Sequence, residues 1–332
     1  MKRRIIKQGH NTLTVTLPAH WVQQLNINAG DEVNVIEQKG SLIIDAKQHS
    51  SNKSTIVDIS NYSIPMIWRL FQSAYREGFE EIKIFYDPSK ELHDDAYAFY
   101  ASQFEYARMG ERPAQRPTLE VIHGFVNRFI GMEIIDHEKN YCVVKEMGEL
   151  TSKEFDNSLR RIFLLLFEMF DKVIEIMKER QTGDISICKI LHQMDTNVDR
   201  FIDYCCRINN RIYDSSFQKN KPVMFTTLFI LELLGDEFKY IGIHLSKLKK
   251  NVKEVLPFAE KVKDHFDMYY KLFYKFDKEI AIKFGENDFR IYNDHFKWKK
   301  ANNKDARSIT RHFMQISKFI FCLMELRIEM TF

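Results

Sequence analysis

Thr12-Leu13-Thr14-Val15-Thr16-Leu17-Pro18 alternates hydroxyl and apolar residues without a slip and then stops at a proline. On a period-2 backbone Leu13, Val15 and Leu17 share one side and the three threonines the other, which predicts a strand with one covered face. Pro18 ends that strand and suits the start of a helix over residues 19–25, where a missing N–H costs nothing. Ala29-Gly30-Asp31 is a turn signal. Val33 and Val35 alternate with polar residues, and a second strand over 42–46 follows the Lys39-Gly40 reversal. Upstream, Lys2, Arg3, Arg4 and Lys7 stand with no acidic residue before Asp31. A segment of about fifty residues with four short strands and one short helix is too small to bury a sufficient core, so it needs a partner.

The order Arg4, Ile5, Gln8, Gly9, Thr12, Val15, Thr16, Leu17, Pro18, Trp21, Gly30, Asp31, Val33 resembles the SpoVT/AbrB swapped-hairpin domain in its archaeal variant. That resemblance implies an intertwined homodimer with its basic first strands against double-stranded DNA. Lysine and arginine contacts to phosphate supply sequence-independent affinity, and a two-fold dimer doubles them. Lys2, Arg3, Arg4 and Lys7 are the leading DNA-facing candidates, with His10, Asn11, Thr12 and Thr14 beside them. The alternative is a solvated basic tail, which fits less well because the cluster belongs to the strand pattern.

Composition bounds the rest. With 332 residues, 45% hydrophobic and 29% charged but a net charge of only +3, the chain is a folded multidomain protein whose basic surface must be local. No apolar run is long enough for a bilayer and no signal-peptide core follows the basic start, so a cytoplasmic protein without membrane insertion is expected. Cys142, Cys188, Cys205, Cys206 and Cys322 form no C-x-x-C pair and read as reduced, buried thiols. There is no P-loop, dinucleotide fingerprint, nucleophile elbow or zinc-protease motif. The expectation is a non-enzyme.

Residues 48–54 read as a polar joint. Beyond it, a strand at 55–59, a helix from Ser63-Ile64-Pro65 to the Gly78 cap, a strand at 82–86, a helix at 119–129 and paired strands at 132–135 and 141–144 outline a small α/β domain. Between them, 87–117 is a polar excursion with an expected helix at 92–109. His93-Asp94-Asp95 in it reads as a solvated cap sooner than a metal cluster. Ala74 to Ile82 and Ile130 to Ile135 resemble stretches of archaeal AbrB/PhoU-type regulators.

From Thr151 the period changes. Phe155, Leu159, Ile162, Leu166, Phe170, Val173 and Met177 step by three and four. A second helix runs from Ile187 to Cys205, and a third spans 224–248. Long helices at 252–284 and 308–329 follow, with a shorter one at 289–299 between them. Most of the 27 phenylalanines lie here, and no proline follows Pro257. An apolar bundle is expected.

Asp195 and Asp199 on the second helix, and Glu232 and Asp236 on the third, are i, i+4 pairs at the margin of the apolar stripe. Two such pairs can converge on one cation. Met194 to Arg200 and Leu231 to Asp236 resemble the acidic pairs of the PhoU family. That resemblance implies a divalent or iron-type metal ion in the helical bundle and a link to phosphate transporter components. Ion pairing with Arg200, Arg207 or Lys239 is the alternative reading. The last helix, Ile316-Ser317-Lys318-Phe319-Ile320-Phe321-Cys322, lacks an acidic pair.

The expected fold is therefore α+β multidomain: an N-terminal swapped-hairpin β module (1–49), a small central α/β domain (55–146) and a C-terminal all-α, PhoU-like helix bundle (151–332). The expected function is a DNA-binding transcriptional regulator linked to phosphate uptake or phosphate and metal homeostasis. The alternative is a non-DNA-binding cytosolic adaptor that uses the first module only to dimerise.

Overall fold

Gly9 takes a left-handed backbone (φ 73°) and turns the chain back on itself between β1 (Ile6–Gln8) and β2 (Thr12–Thr14). The computed structural model describes residues 2–38, 41–46, 53–93, 115–148, 150–179, 183–184, 186–211, 220–248, 252–298 and 304–331. Within them the chain forms two compact units, Met1–Lys53 and Ser54–Phe332.

In the first unit, β1 and β2 pair antiparallel with Ile6 opposite Thr14, Lys7 opposite Leu13 and Gln8 opposite Thr12. The ladder stops at Thr14, three residues before the expected end at Leu17, because β1 supplies only three partners. Pro18 then caps α1 (Ala19–Gln24). Asp31 accepts from the Asn28 backbone N–H at 2.7 Å, closing the turn that Gly30 (φ 101°) permits. A second hairpin pairs β3 (Val33–Gln38) with β4 (Ser41–Ala46). No described residue of this unit is buried. Ile5 is 69% and Leu13 67% exposed, an apolar surface without a core of its own.

The second unit opens with β5 (Ser54–Asp58), which runs parallel to β6 (Glu81–Phe85) through the crossover helix α2 (Ile64–Glu77). Gly78 (φ 88°) ends α2: its N–H reaches Tyr75 O and the Phe79 N–H reaches Ala74 O, which satisfies the last carbonyls. The sheet order is β5-β6-β10-β9, with β9 (Met132–His137) and β10 (Tyr141–Glu146) antiparallel and a bulge between Val143 and Val144. One face carries Ile82, Ile84, Cys142 and Val144 into the core. From α2, Trp68 stacks on Phe129 (centroids 5.1 Å) and meets Phe125 of α3 (Thr118–Val126) edge-on at 5.2 Å. The helix expected from Leu92 begins instead as strand β7 (Glu91–His93), paired with β8 (Gln115–Pro117). The remainder of that expected helix, with Asp94 and Asp95, lies outside the described residues.

Among the described residues, two groups of three helices follow. α4 (Ser152–Glu179), α5 (Ser186–Arg211) and α6 (Lys221–Lys247) pack on one another, as do α7 (Leu256–Tyr274), α8 (Lys278–Trp298) and α9 (Lys304–Glu329). The groups join where α6 meets α9 and α4 meets α7, around Phe163, Phe170, Phe238 and Phe266. The single helix expected over 252–284 is broken after Tyr274. Asp277 Oδ1 accepts from the Glu279 and Ile280 backbone N–H groups, each at 2.9 Å, and so caps α8 at its start. Cys142, Cys188, Cys205 and Cys206 are buried free thiols and Cys322 is half-buried.

Candidate nucleic-acid interface and buried carboxylate cluster

Lys2, Arg3 and Arg4 precede β1 and Lys7 lies within it; all four are exposed, and none forms an ion pair among the described residues. His10 and Asn11 form the exposed tip of the turn beside Gly9. Cross-strand partners point to the same side of a ladder. Lys7 therefore shares its side with Leu13, whereas Thr12 and Thr14 share the other with Gln8 and Ile6. The eight candidates do not form one surface. The Thr14 hydroxyl is already engaged, donating to Ile6 O at 3.2 Å. An anion on the Lys7 side of the ladder meets that ammonium beside Leu13; one on the other side meets the Thr12 hydroxyl and the Gln8 amide.

In the second unit, α5 places Asp195, Asp199 and Asp203 one turn apart in a row, and α6 brings Glu232 and Asp236 alongside. Three cations answer them. Lys239 Nζ lies 2.8 Å from Asp195 Oδ2 and 2.5 Å from Asp236 Oδ1. Arg76, from α2, reaches Asp203 at 2.5 Å and Glu232 at 2.9 Å. Arg128, after α3, reaches Asp199 at 3.3 Å and rests over the Trp68 ring at 4.4 Å. Gln72 Nε2 donates to Asp203 at 3.1 Å.

Burial dominates the electrostatics here. It pushes Asp195 up to about 7, against the pull of Lys239 and with the push of Asp236. Burial likewise raises Asp199, where Asp195 and Glu232 add to it. Asp203 and Glu232 are raised by burial although Arg76 opposes it. Burial works against the charge on Lys239, yet Asp195 and Asp236 hold that ammonium above its ordinary value. His192, on the same helix, is driven down to about 4 by burial, with Lys239 and Arg128 adding to the effect. Asp195 Oδ1 has no hydrogen-bond partner among the described residues and faces Gly235, where a Cβ would come within 3.0 Å of it.

The expectation of a metal ion at Asp195, Asp199, Glu232 and Asp236 meets a different arrangement. Among the described residues, no group of three or more His, Cys, Asp and Glu side chains is disposed to hold one. Ion pairing is what the cluster shows, but only one of the three expected partners takes part. Lys239 does. Arg200 instead donates to the Arg128 carbonyl at 3.3 Å. Arg207, fully buried, donates to Tyr75 O at 2.8 Å, Phe79 O at 2.9 Å and Glu146 at 2.9 Å, tying α5 to the end of α2 and to β10. Four participants are not legible as such in the sequence: Asp203, which extends the i, i+4 row, and Gln72, Arg76 and Arg128, which arrive from other elements.

Among the described residues, no helix is long and apolar enough to cross a membrane. Residues 6–52 match the family model described as "Antidote-toxin recognition MazE, bacterial antitoxin", well under half of the chain. No curated protein and no solved structure matches the chain. The matched span contains β1 to β4, so the first unit is similar to an antitoxin-type module of the same hairpin class that its sequence pattern resembles.

Proposed function

We propose that this chain is a dimeric DNA-binding transcriptional regulator, without catalytic activity, whose first unit interleaves with that of a second copy and grips duplex DNA. Lys2, Arg3, Arg4 and Lys7 supply the phosphate contacts. The observation that carries this reading is the coincidence, in one unit, of apolar side chains with no core of their own and, at these four positions, cations with no acidic partner among the described residues. A second copy covers the first, and a polyanion answers the second.

The helical part is read as a PhoU-like sensor tied to phosphate or metal homeostasis. Two successive three-helix groups support it, as do the acidic rows of α5 and α6 facing each other in the first group. Retention of genomic fragments by the full-length chain, followed by sequencing, tests both parts. A small set of control regions that includes phosphate-uptake genes is expected. No enrichment over bulk DNA would remove the regulator reading, and enrichment of unrelated genes would remove the phosphate link.

The family match favours a second reading, recognition of a toxin polypeptide by the first unit. The two diverge on what accompanies the chain when it is purified from its native cells: DNA fragments in one case, a stoichiometric small protein in the other.

A further inference from the structure

Helix α8 is amphipathic on one side and apolar again on the other. Phe284, Asn287 and Ile291 are buried against α7 and α9. Roughly 150° around the helix, at about 100° per residue, Ile282, Gly285, Phe289 and Tyr292 form a second stripe. Ile282 is 55%, Phe289 67% and Tyr292 51% exposed, although each is large and apolar or aromatic. The spacing of three, four and three is that of a helix seam, not of scattered surface residues. Gly285 sits in its middle with a right-handed backbone, and a Cβ placed there would meet nothing within 4 Å.

We propose that this stripe pairs with the same stripe of a second copy of the chain, the two α8 helices running antiparallel across a two-fold axis. The stripe is self-complementary in size. In that arrangement Ile282 of each copy lies against Tyr292 of the other, and Phe289 of each enters the open notch at Gly285 of the other. An isologous contact requires such a match of one patch to itself. A heterologous partner would not need the small residue and the large one to stand symmetrically about the centre.

One helix seam of this length buries far less surface than a stable dimer requires. The inference accordingly rests on the dimer proposed above: the first unit holds two copies together, and the α8 contact then forms at high effective concentration. Its consequence is a second, weaker tie between copies, located on the helical unit, through which a change in the bundle reaches the dimer without passing along residues 47–52.

Pulsed dipolar electron resonance on the full-length chain tests this. The variant Glu286→Cys, in a Cys322→Ser background, places one spin label on the exposed border of the seam; the other four cysteines are buried. Paired helices lie about 8–10 Å axis to axis, so the labels should fall within about 30 Å of each other. Adding Phe289→Asp, at a position too exposed to threaten the fold, should abolish that short distance without changing the melting temperature. Distances confined beyond about 30 Å, or a short distance that survives Phe289→Asp, would overturn the pairing while leaving the dimer intact. No dipolar modulation at all would overturn both.

Discussion

The first unit has no buried residue among those described and the second has a continuous core from Ile59 to Met324, yet both are written with strongly patterned sequences. The difference lies in what the pattern is for. In α4, apolar residues at helical spacing meet α5, α6 and α7 of the same chain and vanish from the surface. In β2, the alternation is as regular, but Leu13 stays exposed. Under the proposed function, a clean apolar period without a core is the surface that a second copy covers.

The largest effect that would break this contrast is expected at Leu13. On a solitary surface Leu13→Asp would be harmless. Here it should abolish dimers in sedimentation and lower duplex affinity on the order of a hundredfold as phosphate contacts are halved, while the melting of the second unit stays unchanged. Arg207→Ala is the converse. It removes the buried guanidinium shared by Glu146, Tyr75 O and Phe79 O, leaving Arg211 as the partner of Glu146 and the Gly78 N–H on Tyr75 O, and should cost about 3–5 kcal/mol in denaturant unfolding, with DNA affinity intact once the protein is folded.

Smaller changes sharpen the picture of the carboxylate cluster. Gly235→Ala pushes a methyl group against Asp195 Oδ1 and should destabilise by about 1–3 kcal/mol; an unchanged unfolding midpoint would show that α5 and α6 can part freely. The smallest effect concerns His192. Its pKa is lowered from 6.5 to about 4 in the folded chain, so the unfolded chain binds the proton more readily. The stability it contributes is present above pH 6.5 and is lost as pH falls toward about 4. His192→Gln should flatten the decline of melting temperature across that window.

Local signals in the sequence carried most of the architecture. The hairpins, the Gly78 cap and the helical period of 155–177 are each decided by neighbours a few residues apart. The break after Tyr274 was hidden because Phe273, Phe276, Ile280 and Phe284 keep helical spacing straight through it. Asp277, a capping residue two positions before Glu279, was the legible clue. The hairpin register was also countable from the three-residue turn, and it separates Lys7 from Thr12 and Thr14. The carboxylate cluster was only half legible. Spacing on one helix gives Asp195 and Asp199, but Arg76 and Arg128 meet the acidic row across 127 and 71 residues of chain. No periodicity reports a contact of that kind.

The proposed function rests on exposed cations, without an acidic partner among the described residues, on a unit without a core of its own, and titration of a duplex with the full-length chain at increasing salt tests most directly whether they hold a polyanion. The logarithm of the affinity should fall linearly with that of salt. Arg4→Gln with Lys7→Gln should weaken binding and make the slope shallower by about 0.9 for each phosphate that is no longer neutralised. A dimeric chain that ignores DNA at low ionic strength, or a slope untouched by the double substitution, would contradict it.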